Sequence, residues 1–294
     1  MIVVIMGPTA SGKSALALET ALRLGGEIVS FDSMQVYRGL EIGTAQPTAE
    51  EKRLVPHHLT GIFDIEKRVD VCSFTALAEE AVRDILSRGK IPVLAGGTGL
   101  YLRTFLYGMD DMPGDRELRS ELDELYDAPE KEPSLHEKMR ELDPEALKKW
   151  GSCRRRLIRA LEVKLISGRS ILELQGHSPR PLRPGVQAFK LELPPDELNA
   201  RIAARTEGML QRGWIEEAKK AIARGLLATP TAHQALGYKI IAKFLKNEFS
   251  REELKEKLIT ATRQYARRQR TWFRHQHPEA QVLTSSAGPL PVSR

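Results

Sequence analysis

Eight consecutive residues, Gly7-Pro8-Thr9-Ala10-Ser11-Gly12-Lys13-Ser14, match the phosphate-binding pattern G-x-x-x-x-G-K-[ST] at every fixed position. Glycines let the backbone curl so that successive N–H groups face one anion, and the helix that follows adds the positive end of its dipole. Lys13 offers a point charge to the outer phosphate, and the Ser14 hydroxyl offers a ligand to Mg²⁺. The pattern specifies phosphate; it does not specify ATP.

A P-loop hydrolase carries an acid at the end of a further hydrophobic strand, where it holds the Mg²⁺ shell. Here the apolar run 91–95 ends in Gly96-Gly97-Thr98-Gly99 without a carboxylate, and the acid at a strand end is Asp32, after the run 28–31. In a parallel sheet that position lies beside the P-loop, where a carboxylate is set to take a proton from a nucleophile attacking the bound donor. The alternative is that Asp32 only caps the following turn. Thr98 reads either as a hydrogen-bonding partner of a phosphate oxygen or of the acceptor, or as a loop cap. The adjacent His57 and His58 lack other spaced ligands and read as structural.

These residues need a scaffold, and the apolar pattern supplies one. Ile2–Met6 reads as a buried strand, Lys13–Leu24 as a helix, 74–88 as a helix capped by Ser73 and stopped by Gly89, and 186–193 as a returning strand. Strands alternating with helices predict an α/β fold: a P-loop NTPase-like parallel sheet with helices on both faces and ligands at the carboxyl ends of the strands. Between 113 and 185 the chain turns charged and helically periodic, which predicts an inserted all-helical domain. The core is then 1–112 and 186–284 with C-terminal helices, and 285–294 is expected to be a disordered tail.

The 294 residues carry a net charge of +6, 41% hydrophobic and 29% charged side chains, so a packed core and a polyanionic partner are both within reach. Two cysteines, Cys72 and Cys153, exclude a disulfide framework and a four-cysteine zinc site, and are expected to be buried bystanders. No run approaches the roughly 18 apolar residues of a membrane span, and the apolar start is too short for a secretory signal. A cytoplasmic, membrane-free monomer is expected. Arg263, Arg267, Arg270 and Arg274 recur at helical spacing with Tyr265, Trp272 and Phe273 interleaved, and no acid stands between Lys257 and Pro278. That stripe suits phosphate contact and base stacking, unless it is an ordinary solvated face with Trp272 packed inside. Trp150 and Trp214 read as core.

The P-loop, Asp32-Ser33-Met34-Gln35-Val36-Tyr37-Arg38, Ile42-Gly43-Thr44-Ala45, Pro56-His57-His58-Leu59 and Gly96-Gly97-Thr98-Gly99-Leu100-Tyr101 closely resemble the motifs of tRNA dimethylallyltransferases. So do Arg155-Arg156-Leu157-Ile158-Arg159-Ala160-Leu161-Glu162, Gly237-Tyr238-Lys239 and Arg267-Arg268-Gln269-Arg270-Thr271-Trp272-Phe273, and the resemblance spans nearly the whole chain. It implies transfer of a dimethylallyl group from dimethylallyl diphosphate to N6 of the adenosine 3′ of the anticodon, in tRNAs reading codons that begin with U. It further implies Asp32 as general base, Gly7 to Ser14 with Mg²⁺ on the diphosphate, Thr98 at the adenosine or diphosphate, and Arg205 on the leaving group, with Arg201 one turn away. Contacts to the tRNA anticodon stem-loop are implied for Asp32, Ser33, Met34, Gln35, Thr98, Arg155, Arg156, Leu157, Ile158, Arg159, Arg267 and Arg270. Gln46 and Ile240 depart from the family's habit of a lysine and an acid at those places.

Two other readings fit a P-loop with one acid: prenylation of free adenylate, and a small-molecule kinase. The basic clusters disfavour the first, because a mononucleotide needs no extended cationic surface. The missing second acidic strand end disfavours the second. A non-enzymatic RNA-binding module would not need a complete P-loop.

Overall fold

The computed structural model describes residues 1–110, 112–175, 181–277, 279–284 and 288–292. The chain divides into two compact units, Met1–Tyr107 with Leu182–Arg294, and Gly108–Pro181. In the first, six strands form one all-parallel sheet: β1 (Ile2–Met6), β2 (Glu27–Phe31), β3 (His57–His58), β4 (Pro92–Gly96), β5 (Val186–Leu191) and β6 (Gln281–Leu283), in the order β3-β2-β4-β1-β5-β6. Alternate residues of β1 serve two cores. Val3 and Ile5 pack with Leu16, Ala17 and Ala21 of the helix Lys13–Leu24, while Val4 and Met6 pack with Phe31, Phe74 and Leu102 on the opposite face. Both faces are thus covered, as near-continuous apolar strands require.

Register decides where the chemistry goes. Met6 pairs with Gly96 and Phe31 pairs with Gly96, so β1, β2 and β4 end level. The residues that follow, Gly7, Asp32 and Gly97, therefore emerge along one edge of the sheet. The helix expected at 74–88 runs Val71–Ser87: Asp70 is its cap, accepting from Ser73 N at 2.8 Å, and Ser73 closes the reciprocal capping box. The serine taken for the cap is three residues inside the helix.

Two short edge strands were outside the sequence reading. β3 is the His57–His58 pair; His58 Nε2 lies 2.8 Å from Glu27 Oε2, and that buried carboxylate also accepts from Arg88 and Lys90. The three donors hold Glu27 well below the usual carboxylate range, Arg88 foremost. His58 is thus tied into the fold, as expected of a structural histidine. β6 pairs with β5 through only three residues, two of them exposed, too short to announce a strand.

The regular elements among the second unit's described residues are all helical, with helices Arg116–Tyr126, Glu132–Leu142, Pro144–Trp150 and Arg154–Ser167 around Leu122, Leu135, Met139, Trp150 and Leu161. Its buried Glu162 accepts from Arg119 at 2.8 Å and pairs with Arg159 at 2.7 Å. Residues 176–180 lie outside the described residues. The chain has rejoined the sheet unit before β5, since Leu182 packs on the large core and Arg183 N donates to Leu106 O at 2.9 Å.

Of the tail expected to be disordered, 285–287 and 293–294 lie outside the described residues. Leu290 is buried and its carbonyl accepts from Arg23 Nη2 at 2.6 Å, so the tail is packed at that point. Cys72 is exposed on the first helical turn after Asp70 and Cys153 is half-buried, so neither is the buried bystander expected. Trp150 and Trp214 are core residues. No helix among the described residues is long and apolar enough to cross a membrane.

His277, at the end of the helix Arg251–Gln276, is wholly buried between the rings of Tyr107 and Phe273, with centroids at 5.6 and 5.8 Å. Neither ring nitrogen has a hydrogen-bond partner among the described residues. Burial pushes its pKa down to about 4, helped by the charges of Lys190 and Arg103 and opposed by Glu279. The unfolded chain then binds the proton first as pH falls, so stability drops from about pH 6.5 towards 4. Denaturant unfolding at pH 7 and pH 5 should reveal a loss of about 2 kcal/mol that His277→Phe removes; an equal pH dependence in the variant would contradict this.

Candidate active site

The P-loop leaves β1 and enters the helix Lys13–Leu24 through two left-handed residues, Ala10 at φ 63° and Gly12 at φ 92°. Gly12 is the position where a side chain would be strained. Lys13 Nζ donates to Pro8 O at 3.2 Å, curling back over the loop. Burial brings the Lys13 pKa down to about 8, with the charge of Arg205 lowering it further and that of Asp32 raising it. Arg205 donates from Nη1 to Thr9 Oγ1 at 2.9 Å and is itself lowered by burial, with Asp32 opposing. Three charges therefore converge: two half-buried cations and one carboxylate.

Arg201 and Arg205 project one turn apart from the helix Pro195–Gln211, and both reach the loop, Arg201 donating to Ser11 O at 3.4 Å. Arg205 is the more buried and meets a side chain; Arg201 also pairs with Glu197 at 2.8 Å.

Asp32 uses Oδ1 to accept from Met34 N at 2.9 Å and from Gln35 N at 3.4 Å, while Oδ2 has no partner among the described residues. Both sequence readings thus coexist in one carboxylate, one oxygen capping the turn and the other open. Thr98 Oγ1 accepts from Ser33 N at 3.0 Å, and Thr98 N donates to Phe31 O at 3.2 Å, so Thr98 ties the Asp32 loop to the end of β4. Gln35 is a brace: its amide donates to Thr44 O and Ala45 O at 3.1 and 2.9 Å and accepts from Ser30 Oγ at 2.7 Å. Its polar atoms are engaged within the protein, while the residue is half-buried and lines the cavity described below. Ser33 and Met34 are half-buried, and Met34 packs on the large core.

A cavity of about 780 Å³ opens on the loop, lined by Lys13, Ser14, Arg205, Arg212, Gln46 and His57 among others. Ser14 is exposed to it. Asp32 and Thr98 do not line it. Gln46 is buried and donates to Tyr37 O at 2.7 Å, and Ile240 packs on the large core, so both departures from the family habit serve neutral, internal roles.

On the helix Arg251–Gln276, Arg263, Arg267 and Arg274 are exposed, Arg270 is half-buried, and none has an ion pair among the described residues. The aromatics turn inward. Phe273 is buried, and Trp272 packs so closely on Gly99 that a Cβ there would fall 2.2 Å from the indole. Base stacking by Phe273 is therefore excluded and the Trp272 indole is taken up in part by packing on Gly99, while the cationic face stands. The Tyr265 phenol is raised by burial and by the charge of Asp32, which puts it within electrostatic reach of the carboxylate. In the helical unit, Arg155 and Arg156 are exposed without ion pairs among the described residues, and Arg154 pairs with Asp127 at 3.2 Å. Leu157 and Ile158 are wholly buried in that unit's core, so their side chains cannot touch RNA.

The sequence reading missed Gln269. It lies at core spacing, between Ala266 and Phe273 on the buried face of its helix, and a polar residue there was the available signal.

A Walker-type loop and a parallel sheet with one carboxylate at the end of β2 define a P-loop-like α/β protein, and β4 ends without the strand-end acid of a hydrolase. The comparisons narrow that class. The IPP transferase family matches residues 35–276. The tRNA dimethylallyltransferase of Anaeromyxobacter dehalogenans (strain 2CP-C) is 45% identical over 93% of this chain and 91% of its own. Among solved structures, the tRNA delta(2)-isopentenylpyrophosphate transferase from Staphylococcus epidermidis superposes with TM-score 0.68 at 34% identity, covering 96% of this chain and 92% of that one. A eukaryotic dimethylallyltransferase acting on tRNA gives TM-score 0.75 at 28% identity, over 92% of this chain and 69% of that one. The chain belongs to the IPP transferase family, a family of prenyl-transferring enzymes.

Because Lys13 is charged only below about pH 8 in the free protein, its hold on a diphosphate should weaken as pH rises through that value. Calorimetric titration with inorganic diphosphate between pH 7 and 9 should find affinity falling by up to about tenfold per pH unit above 8. A flat profile would mean that Lys13 does not bear on the anion.

Proposed function

We propose that the protein transfers the dimethylallyl group of dimethylallyl diphosphate to N6 of the adenosine 3′ of the anticodon, in tRNAs reading codons that begin with U. One observation carries the reading: Lys13 and Arg205, both half-buried, line the cavity at the P-loop, and Asp32, whose Oδ2 is open, is the carboxylate whose charge bears on both. Family membership supports the same donor and acceptor. The C–O bond between the allylic C1 and the diphosphate breaks, and a C–N bond forms between C1 and N6. The N6 proton goes to Asp32, and the leaving diphosphate keeps the electron pair of the broken bond. Lys13, Arg205 and the loop amides stabilise that anion as its charge grows.

Mg²⁺ fits the same loop. The Ser14 hydroxyl faces the cavity, and among the described residues no cluster of three His, Cys, Asp or Glu cages an ion. One serine, diphosphate oxygens and water make the coordination that Mg²⁺ favours, and the ion would neutralise charge on the leaving group.

Thr98, by holding Ser33, keeps the Asp32 loop in place for the adenine, which must leave its stack at a cost of a few kcal/mol. The exposed Arg155 and Arg156 of the helical unit, and Arg267 and Arg270 of the sheet unit, are our candidates for contacts to the anticodon stem-loop. We read the protein as a cytoplasmic monomer.

Unmodified tRNA incubated with the protein, Mg²⁺ and dimethylallyl diphosphate should yield N6-dimethylallyl adenosine in the anticodon loop by nucleoside mass spectrometry. Product from free AMP but not from tRNA would replace the acceptor; silence with both would discard the reading. Asp32→Asn should lower turnover at least about a hundredfold while tRNA affinity holds, and near-wild-type turnover would remove Asp32 as the base. Combining Arg267→Ala with Arg270→Ala should weaken tRNA binding and reduce its salt slope by about 1 to 2; an unchanged slope would take the stripe away from the RNA.

A further inference from the structure

Gln269 stands in the most basic stretch of the C-terminal helix, yet only 7% of it is exposed. Its Oε1 accepts from Thr9 N at 2.8 Å, and its Nε2 donates to Gly97 O at 2.8 Å. Both polar atoms of one planar amide are engaged, at two places far apart in sequence. Thr9 is the P-loop residue whose hydroxyl takes Arg205, and Gly97 immediately precedes Thr98, which holds Ser33 beside Asp32. The contact has a matching space: a Cβ at position 97 would fall 2.3 Å from Gln269 Nε2. One turn on, Trp272 fills the space above Gly99.

We propose that Gln269 is a positioning residue that fixes the distance between the donor loop and the acceptor loop. The inference rests on the function proposed above. A displacement reaction needs C1 of the donor and N6 of the acceptor aligned within a few tenths of an ångström, and a misplacement of about 1 Å costs on the order of a hundredfold in rate. The P-loop sets the diphosphate, and the Asp32 loop, held by Thr98, sets the proton acceptor. Within the described residues, the Gln269 amide joins these two loops through side-chain hydrogen bonds to each. A rigid amide with a donor on one side and an acceptor on the other sets both their separation and their relative tilt. It also takes the Thr9 N–H away from the anion, so that the loop's remaining amides define the cradle. Since Arg267 and Arg270 lie on either side along the helix, the element offered to the RNA is the one that spaces the reacting groups. Gln269 itself does not touch RNA, and its effect should appear in turnover rather than in tRNA affinity.

The test uses the full-length protein with tRNA, Mg²⁺ and dimethylallyl diphosphate, and two variants, Gln269→Ala and the near-isosteric Gln269→Glu. With catalysis expressed per folded molecule by active-site titration, kcat should fall about ten- to a hundredfold in both, with tRNA Kd within about twofold of wild type; both variants leave buried partners unsatisfied and so should also melt a few degrees lower. The glutamate variant adds a readout that a structural role would not move. Its carboxylate accepts from Thr9 N but cannot donate to Gly97 O until protonated. The ratio of its kcat to that of wild type should therefore rise as pH falls from 8 to 5.5. A kcat within twofold of wild type in both variants, or loss of tRNA affinity and melting temperature with kcat per folded molecule unchanged, would overturn the proposal while leaving the function intact. An inert wild-type protein would overturn both.

Discussion

Two partly desolvated cations next to one carboxylate, at the mouth of one cavity, are the constraint on which the rest of the structure depends. Lys13 and Arg205 each lose hydration on burial, and that loss lowers the pKa of both. Such groups are costly to bury without a counter-charge. Asp32 offsets part of the cost in the free protein, and in the function proposed above the donor's diphosphate would offset the remainder. The arrangement is thus poised for an anion to arrive. The same tension explains the role of the sheet. A parallel sheet ending level at Met6, Phe31 and Gly96 brings loops distant in sequence to one edge, and both of its faces must be packed for that edge to stay fixed.

The packing is specific where the loops need it. Val3 and Ile5 hold the P-loop helix, while Val4, Met6 and Phe31 hold the helices that follow Asp70 and Thr98. Glu27, at the far end of β2, is fastened by Arg88, Lys90 and His58, so β2 is anchored at its start and carries Asp32 at its end. Close approach at Gly97 and Gly99 lets the C-terminal helix reach the same edge. The helical unit keeps a separate core, and its Arg155 and Arg156 are left in solvent because the residues next to them, Leu157 and Ile158, take up the interior.

Much of this was legible in the sequence because it is local. The P-loop is eight contiguous residues, and β1 and the helix after it follow from apolar period alone. Asp32 could be marked because strand ends in a parallel sheet share an edge. What stayed hidden depends on distant partners. β3 is two residues and β6 three, and each exists only because a neighbouring strand offers it hydrogen bonds. The choice between Arg201 and Arg205 could not be made from spacing, since both lie on the loop side of their helix; burial and Thr9 distinguish them. Leu157 and Ile158 were carried into the RNA-contacting set as part of a linear motif, although their helical phase points to the core. Gln269 escaped notice because its two partners are 260 and 172 residues away.

The central claim is that Arg205 and Asp32 act on one transition state, the arginine on the departing diphosphate and the aspartate on the attacking amine. A double-mutant cycle in single-turnover rate, with Arg205→Met, Asp32→Asn and the two combined, tests this most directly. The account predicts strong non-additivity, the second substitution costing far less in the presence of the first than alone, as groups acting as a unit do. Multiplicative losses would mean that the two residues act independently, and would contradict it.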